Sequence, residues 1–160
     1  MPAIVYRSDA VPPLAFPRRF RNFLRRAMAV TGFEPADGIV HFILLDEKEM
    51  TDLNALHLHH SGPTDVITYD LRPASADAVA AEIYLCPAVA AKYAAQYGNT
   101  VSRELCLYAV HGLLHLSGQD DLEPTDRAAM RAAETSALEI LGRRFQLDRI
   151  ASLTINPKEN

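Results

Sequence analysis

Two histidines four residues apart, His111 and His115, are followed closely by Asp120 and Asp121. On a helix, positions four apart lie on one face, one turn above the other. The two imidazoles can therefore aim at one point. Gly118 suits a left-handed helix end, after which the chain reverses and either aspartate can swing back towards the pair. Two imidazoles and a carboxylate make a three-ligand site with one position open for water, as catalytic zinc requires. The same donor set also fits a two-histidine, one-carboxylate iron site, but nothing else in the chain supports oxygen chemistry.

The residues around the pair strengthen the metal reading. From Leu105 to Leu116, apolar side chains fill nearly every position except the two histidines, and a helix apolar all round is a buried one. Histidines inside it must be hydrogen-bonded, paired or metal-bound, because an unsatisfied buried polar group is costly. Gly112 occupies the place of the glutamate in the zinc-peptidase motif H-E-x-x-H, so the carboxylate that activates water for peptide cleavage is missing.

Several elements must hold this helix in place. Ile4-Val5-Tyr6 reads as a short strand. A helix starts near Pro17, with Phe16, Phe20, Phe23 and Ala27 as an apolar stripe and Arg18, Arg21 and Arg25 recurring on another side. Residues 38–45 read as a central strand that contains His41. Asp46 can cap a helix over about 47–58, with Met50, Leu53 and Leu56 or His57 facing inward. The cluster His57, His59, His60 reads as a solvated helix end. Strands are expected over 64–70 and 81–85, a helix from Pro87 to Tyr97 stopped by Gly98, and the metal helix after Asn99-Thr100. A last helix runs from Pro124 through Leu141, stopped by Gly142, with Met130, Ala133, Ala137 and Leu141 inward. Residues 147–160 read as a tail with a short strand at 153–155. The whole implies one α+β domain over residues 1–160, built on a mixed sheet of about four strands with helices packed around the metal helix.

The totals set bounds. At 160 residues the chain can bury a core without disulfides. Cys86 and Cys106 fit neither a metal nor a redox motif, which suits buried thiols in a cytoplasmic protein. No run reaches a membrane span and no signal peptide is evident. The net charge of −4 is unevenly spread: residues 1–26 carry +5, residues 27–126 carry −11 and residues 127–160 carry +2. Arginine outnumbers lysine thirteen to three, and arginine favours bidentate phosphate contacts. The basic amphipathic helix with Arg18, Arg21 and Arg25 is thus the first candidate for docking RNA or a ribosome.

The run His111-Gly112-Leu113-Leu114-His115-Leu116-Ser117-Gly118-Gln119-Asp120-Asp121 resembles the signature H-G-x-L-H-L-x-G-Y-D-H. That signature belongs to the YbeY-like metal-dependent endoribonucleases of bacterial ribosomal RNA maturation. Residues 63–69, Pro-Thr-Asp-Val-Ile-Thr-Tyr, are similar to the family's P-T-D-V-L-S-F. Residues 82–87 stand where the family has G-D-I-x-I-S-P, and Arg103-Glu104-Leu105 matches its approach to the metal helix. The resemblance extends from about residue 37 to 141 in the family's order and spacing.

It implies a zincin-like α+β fold and one Zn²⁺ per chain, another divalent ion being possible, held by His111, His115 and Asp121. The family's third metal histidine falls on Asp121, and Asp120 aligns with the family's own aspartate, for a turn or outer-shell role. Asp65 aligns with an aspartate beside the active site, where it could act in catalysis with His115 or orient a ligand. An aspartate holding backbone amides at a strand start is the structural alternative. The implied activity is zinc-dependent, single-strand endoribonuclease action in ribosomal RNA maturation and ribosome quality control, in the cytoplasm. The implied partners are ribosomal RNA and the small ribosomal subunit, with no membrane. One family arginine, five residues before the P-T-D block, falls on Leu58. That departure opens a rival reading, a ribosome-assembly binding module whose metal is structural.

Overall fold

The computed structural model describes residues 3–8, 14, 17–58 and 65–151, with 3–8 and 57–58 described as backbone only. Strand β1 (Ala3–Ser8) leads to helix α1 (Pro17–Thr31), strand β2 (Ile39–Leu44) and helix α2 (Glu47–Leu58). Strands β3 (Val66–Asp70) and β4 (Val79–Leu85) follow, then helices α3 (Pro87–Tyr97), α4 (Val101–Leu116) and α5 (Pro124–Gly142). The result is an α+β arrangement on a mixed sheet. Its strand order is β1-β2-β4-β3, with β1, β2 and β4 parallel and β3 antiparallel to β4 at the edge.

Strand β2 is central, and its side chains alternate between the two faces of the sheet. Val40, Phe42 and Leu44 join Ile83 and Leu85 of β4 in the larger core, against α1, α4 and α5. On the opposite face Ile43 and Leu45 pack with Ile67, Met50 of α2 and Val89 of α3. Both faces are covered, which is why the β2 sequence is almost uninterruptedly apolar.

Helix α1 forms as its pattern demands. Phe20, Phe23, Leu24, Ala27 and Met28 are buried, while Arg18, Arg21 and Arg25 are exposed. Phe16 lies outside the described residues. In α2 the Asp46 carboxylate accepts from the Glu49 amide at 2.8 Å, the expected cap. The inward face of α2 departs from expectation. Leu56 is 80% exposed and Asn54 is buried, because the stripe from Met50 passes through residues 53 and 54 at 3.6-residue spacing. Gly98 ends α3 in the left-handed region at φ 67°.

Helix α4 is buried along its length, from Ser102 to Leu116. Thr100 caps it, accepting from the Arg103 amide at 3.1 Å. Its first turn is tied to residues 147–151, which are not the start of a tail. They form a 3₁₀ turn with Leu147, Ile150 and Ala151 buried. Ser102 organises that turn: its hydroxyl donates to the Leu147 carbonyl at 2.5 Å and accepts from the amides of Ile150 and Ala151 at 2.8 and 2.9 Å. All its hydrogen-bonding capacity is used. Ser102→Ala would orphan two buried N–H groups and a carbonyl, and is expected to cost about 2–5 kcal/mol, read as a lower denaturant midpoint with an unchanged m value.

Gly142 also departs from expectation. It does not stop α5 but is its last helical residue. A Cβ built there would sit 3.6 Å from Leu147 Cδ1, an ordinary contact, so space does not demand glycine at this position. The strand expected at 153–155 lies outside the described residues. Both cysteines are free and buried, and burial pushes the Cys86 thiol up and the Cys106 thiol far up from the ordinary pKa, which disfavours the reactive thiolate. Among the described residues no helix is long and apolar enough to cross a membrane.

Candidate metal centre

The last two turns of α4 carry His111 and His115, and the helix end is built to bring Asp121 back to them. The Gly118 amide donates to the His115 carbonyl and the Gln119 amide to the Leu114 carbonyl, each at 3.0 Å. These two bonds define a Schellman motif, with Gly118 at φ 106° in the position that favours glycine. The Asp120 carboxylate then accepts from the Asp121 amide at 2.7 Å, which fixes the turn. Arg127, in the first turns of α5, donates to the Leu122 carbonyl at 2.8 Å and pins the loop from the other side. From the sheet side, Arg72 donates to the Leu116 carbonyl at 3.2 Å while its guanidinium pairs with both oxygens of Asp70.

Three donor atoms converge as a result. His111 Nε2 and His115 Nε2 lie 3.0 Å apart, and Asp121 Oδ2 is 3.6 Å from the first and 3.5 Å from the second. A tetrahedral ion with ligand bonds of ~2.0–2.1 Å has ligand atoms about 3.3 Å apart, so the triangle has the size such an ion demands. Two ring nitrogens and a carboxylate oxygen facing one another are satisfied by a shared proton or by a cation between them. The donor set therefore fits a divalent ion, and His111, His115 and Asp121 are the residues that would hold it.

Glu134 was not singled out from the sequence. Its Oε1 lies 2.5 Å from His111 Nδ1. A proton on Nδ1, donated to this carboxylate, leaves the Nε2 lone pair facing the triangle, the usual device for fixing a metal-binding imidazole. A signal was present: Met130, Ala137 and Leu141 form the inner stripe of α5, and residue 134 falls within it. A carboxylate there has to meet a partner inside the protein. Burial works to lower the pKa of His111, but the hydrogen bond and charge of Glu134, with the charges of Asp65 and Asp121, outweigh it and hold the pKa above its ordinary value.

A cavity of about 220 Å³ opens beside the triangle, with Asp65, His111, Asp121 and Glu134 on its wall. Asp65 holds a backbone amide, as the structural alternative has it, and its position leaves it beside the site. Its Oδ1 accepts from the Val66 amide at 2.8 Å at the start of β3, and it borders the cavity. Asp120 is engaged in the turn, and Arg18, Arg21 and Arg25 lie on α1, outside the cavity wall. The side chain of His57 and all of His59 and His60 lie outside the described residues. His41 sits mid-strand opposite Val5 and Glu82 in the sheet register, away from the triangle.

Comparison with known proteins adds to the geometry. Proteins named Endoribonuclease YbeY match a large part of the chain. That of Mycolicibacterium gilvum is 37% identical over 107 residues, covering 61% of this chain and 60% of its own length. That of Elusimicrobium minutum is 37% identical over 105 residues, covering 64% and 73%, and that of Rhodopirellula baltica 38% over 121 residues, covering 72% and 61%. The chain thus spans about 60% of the length of the Mycolicibacterium relative. The solution structure of TM1509 from Thermotoga maritima shares the fold, with a TM-score of 0.62 at 24% identity, over 98% of this chain and 95% of that one. The sequence profile described as Endoribonuclease YbeY matches residues 7–142, a stretch that includes the histidine pair, its glycine turn, Asp121 and Glu134, and by that match the chain belongs to the endoribonuclease YbeY family.

Proposed function

We propose that this protein is a metal-dependent endoribonuclease that hydrolyses phosphodiester bonds of single-stranded RNA in ribosomal RNA maturation and ribosome quality control. The observation that carries the reading is the triangle of His111 Nε2, His115 Nε2 and Asp121 Oδ2, of a size for one tetrahedral ion, in a chain of this family. Zinc, one per chain, is the proposed ion, and the buried helix that bears both histidines is proposed as a zincin-like element. When bound, such an ion lowers the pKa of a water and polarises a phosphoryl oxygen.

The chain's own residues supply the rest. Asp120 keeps the turn that presents Asp121, and Glu134 keeps His111 in the tautomer with Nε2 free. Asp65, on the cavity wall, is proposed to take the proton of the incoming water. Hydrolysis adds that water across one P–O bond, and the departing ribose oxygen leaves as a hydroxyl. The proposed compartment is the cytoplasm, with one domain spanning residues 1–160.

Ribosomal RNA and the small ribosomal subunit are the proposed partners, docked through Arg18, Arg21 and Arg25. Supporting this, a cleft of about 270 Å³ beside α1 is lined by Arg19, Asn22, Arg144, Gln146 and Arg149, with no acidic residue on its wall. Changing Arg21 and Arg25 together to Gln is expected to weaken association with small subunits about tenfold or more at physiological salt, since each lost phosphate contact lowers a salt-dependent affinity. Co-sedimentation checks this, with metal content unchanged.

The function is tested by incubating metal-loaded protein with single-stranded ribosomal RNA fragments. Cleavage that a chelator stops and added zinc restores supports the enzyme. Stable RNA with intact subunit binding would favour the rival reading, an assembly module with a structural metal.

A further inference from the structure

The cavity beside the triangle has a second wall, formed by α5, where Arg127 and Arg131 line it one helical turn apart. Both are exposed. Among the described residues neither makes an ion pair. The one hydrogen bond given for Arg127, from Nη1 to the Leu122 carbonyl, uses one of its five donors. Two like charges one turn apart destabilise a helix, so the pair is not there for the stability of α5.

The rest of the cavity is acidic or neutral. Asp65, Asp121 and Glu134 face it, the first two within the segment of the chain that carries most of the negative charge. Tyr108 also lines it; Glu104 lies near its buried hydroxyl, but no described group completes a hydrogen bond to that oxygen. A polyanion approaching such a centre needs fixed cations beside it, and Arg127 and Arg131 supply them on this wall. Its volume of about 220 Å³ is below the ~300–1,000 Å³ of pockets that enclose a whole small ligand. It suits one group of a polymer laid across its mouth.

We propose that Arg131, with Arg127 one turn before it, forms the phosphate-binding wall of this cavity, gripping the nonbridging oxygens of one RNA phosphodiester and drawing the strand across the His111–His115–Asp121 centre. The inference rests on the endoribonuclease reading and names the residues that seat its substrate. Arg131 is the freer of the two and makes the principal contact. Arg127 divides its donors between the strand and the loop that carries Asp121. Arginine suits the task because its planar fork binds two phosphate oxygens at once.

The test measures binding of a fluorescent single-stranded oligoribonucleotide to metal-stripped protein over a range of salt. Arg131→Gln and Arg131→Lys are compared with the parent and with Lys92→Gln, a loss of the same charge from the exposed face of α3. Arg131→Gln is expected to weaken binding about tenfold or more and to reduce the salt slope by ~0.7, the loss of one single-strand phosphate contact. Arg131→Lys should keep the slope and lose part of the affinity. Metal content and unfolding midpoint should match the parent in both, and in the loaded enzyme KM should rise more than kcat falls. An Arg131→Gln slope and affinity equal to those of Lys92→Gln would overturn the phosphate wall while leaving the nuclease reading intact. A parent that binds no single-stranded RNA would overturn both.

Discussion

His115→Ala is expected to abolish metal retention and RNA cleavage together while leaving the fold in place. Removing one imidazole leaves His111 and Asp121, with donor atoms 3.6 Å apart, as a two-ligand site on a partly open surface. Loss of a partner that merely orients a metal ligand costs ~10–100-fold in metal affinity or activity. Loss of the ligand itself should therefore cost well over 100-fold in cleavage. The core contacts of α4 run through Leu105, Ala109, Leu113 and Leu116, none of which depends on the His115 ring. The metal-free variant should accordingly melt close to the metal-free parent. Elemental analysis, a melting curve and a cleavage assay on one preparation check all three. Undiminished cleavage with normal metal content would remove the basis for the proposed site.

Glu134→Gln should give the next largest effect, with a characteristic dependence on pH. Metal affinity is expected to fall about 10–100-fold, measured by competition with a chelator. Metal must displace the proton from His111, and the carboxylate holds the His111 pKa above its ordinary value. In the parent, metal binding should weaken as the pH falls through that raised value; in the variant the fall-off should move to lower pH. The metal-free protein carries the opposite sign. A raised folded pKa contributes stability that is fully present below the unfolded value of about 6.5 and is lost as pH rises through the folded value. The metal-free parent should thus be more stable than the variant under acidic conditions, with the gap closing at alkaline pH. A gap independent of pH would show that Glu134 acts on packing and not through the imidazole.

What could be read from the sequence divides along the range of the physics involved. The histidine pair and the glycine turn follow from helix periodicity and one backbone rule, which leave Asp120 and Asp121 both open as the third ligand; the family resemblance points to Asp121, and the structure brings it together with His111 and His115. The caps at Asp46 and Thr100 and the stop at Gly98 are equally local. Glu134, Arg127 and Arg131 reach the site because α5 packs alongside α4, a tertiary relation that periodicity does not set. Leu56 shows a different limit. A leucine attracts assignment to the inner face by type, yet the register from Met50 puts Asn54 there instead. Gly142 misleads in the same way, since a glycine near a helix end can be a helical residue and not its stop.

Gly112 bears on how this family could change its chemistry. A Cβ at that position would lie 3.1–3.2 Å from methyl groups of Val66, Ile83 and Thr68, all on β-branched side chains with little freedom to turn aside. The metal helix is pressed onto the sheet at the very residue where the peptidase motif carries its glutamate. A side chain introduced there would have to displace three methyl groups that are already closer than ordinary contact. The route from this scaffold to a peptide-cleaving one therefore does not run through a single substitution. It would require the helix to roll on the sheet, carrying His111 away from Glu134, so the packing that makes the site also isolates it from a neighbouring chemistry.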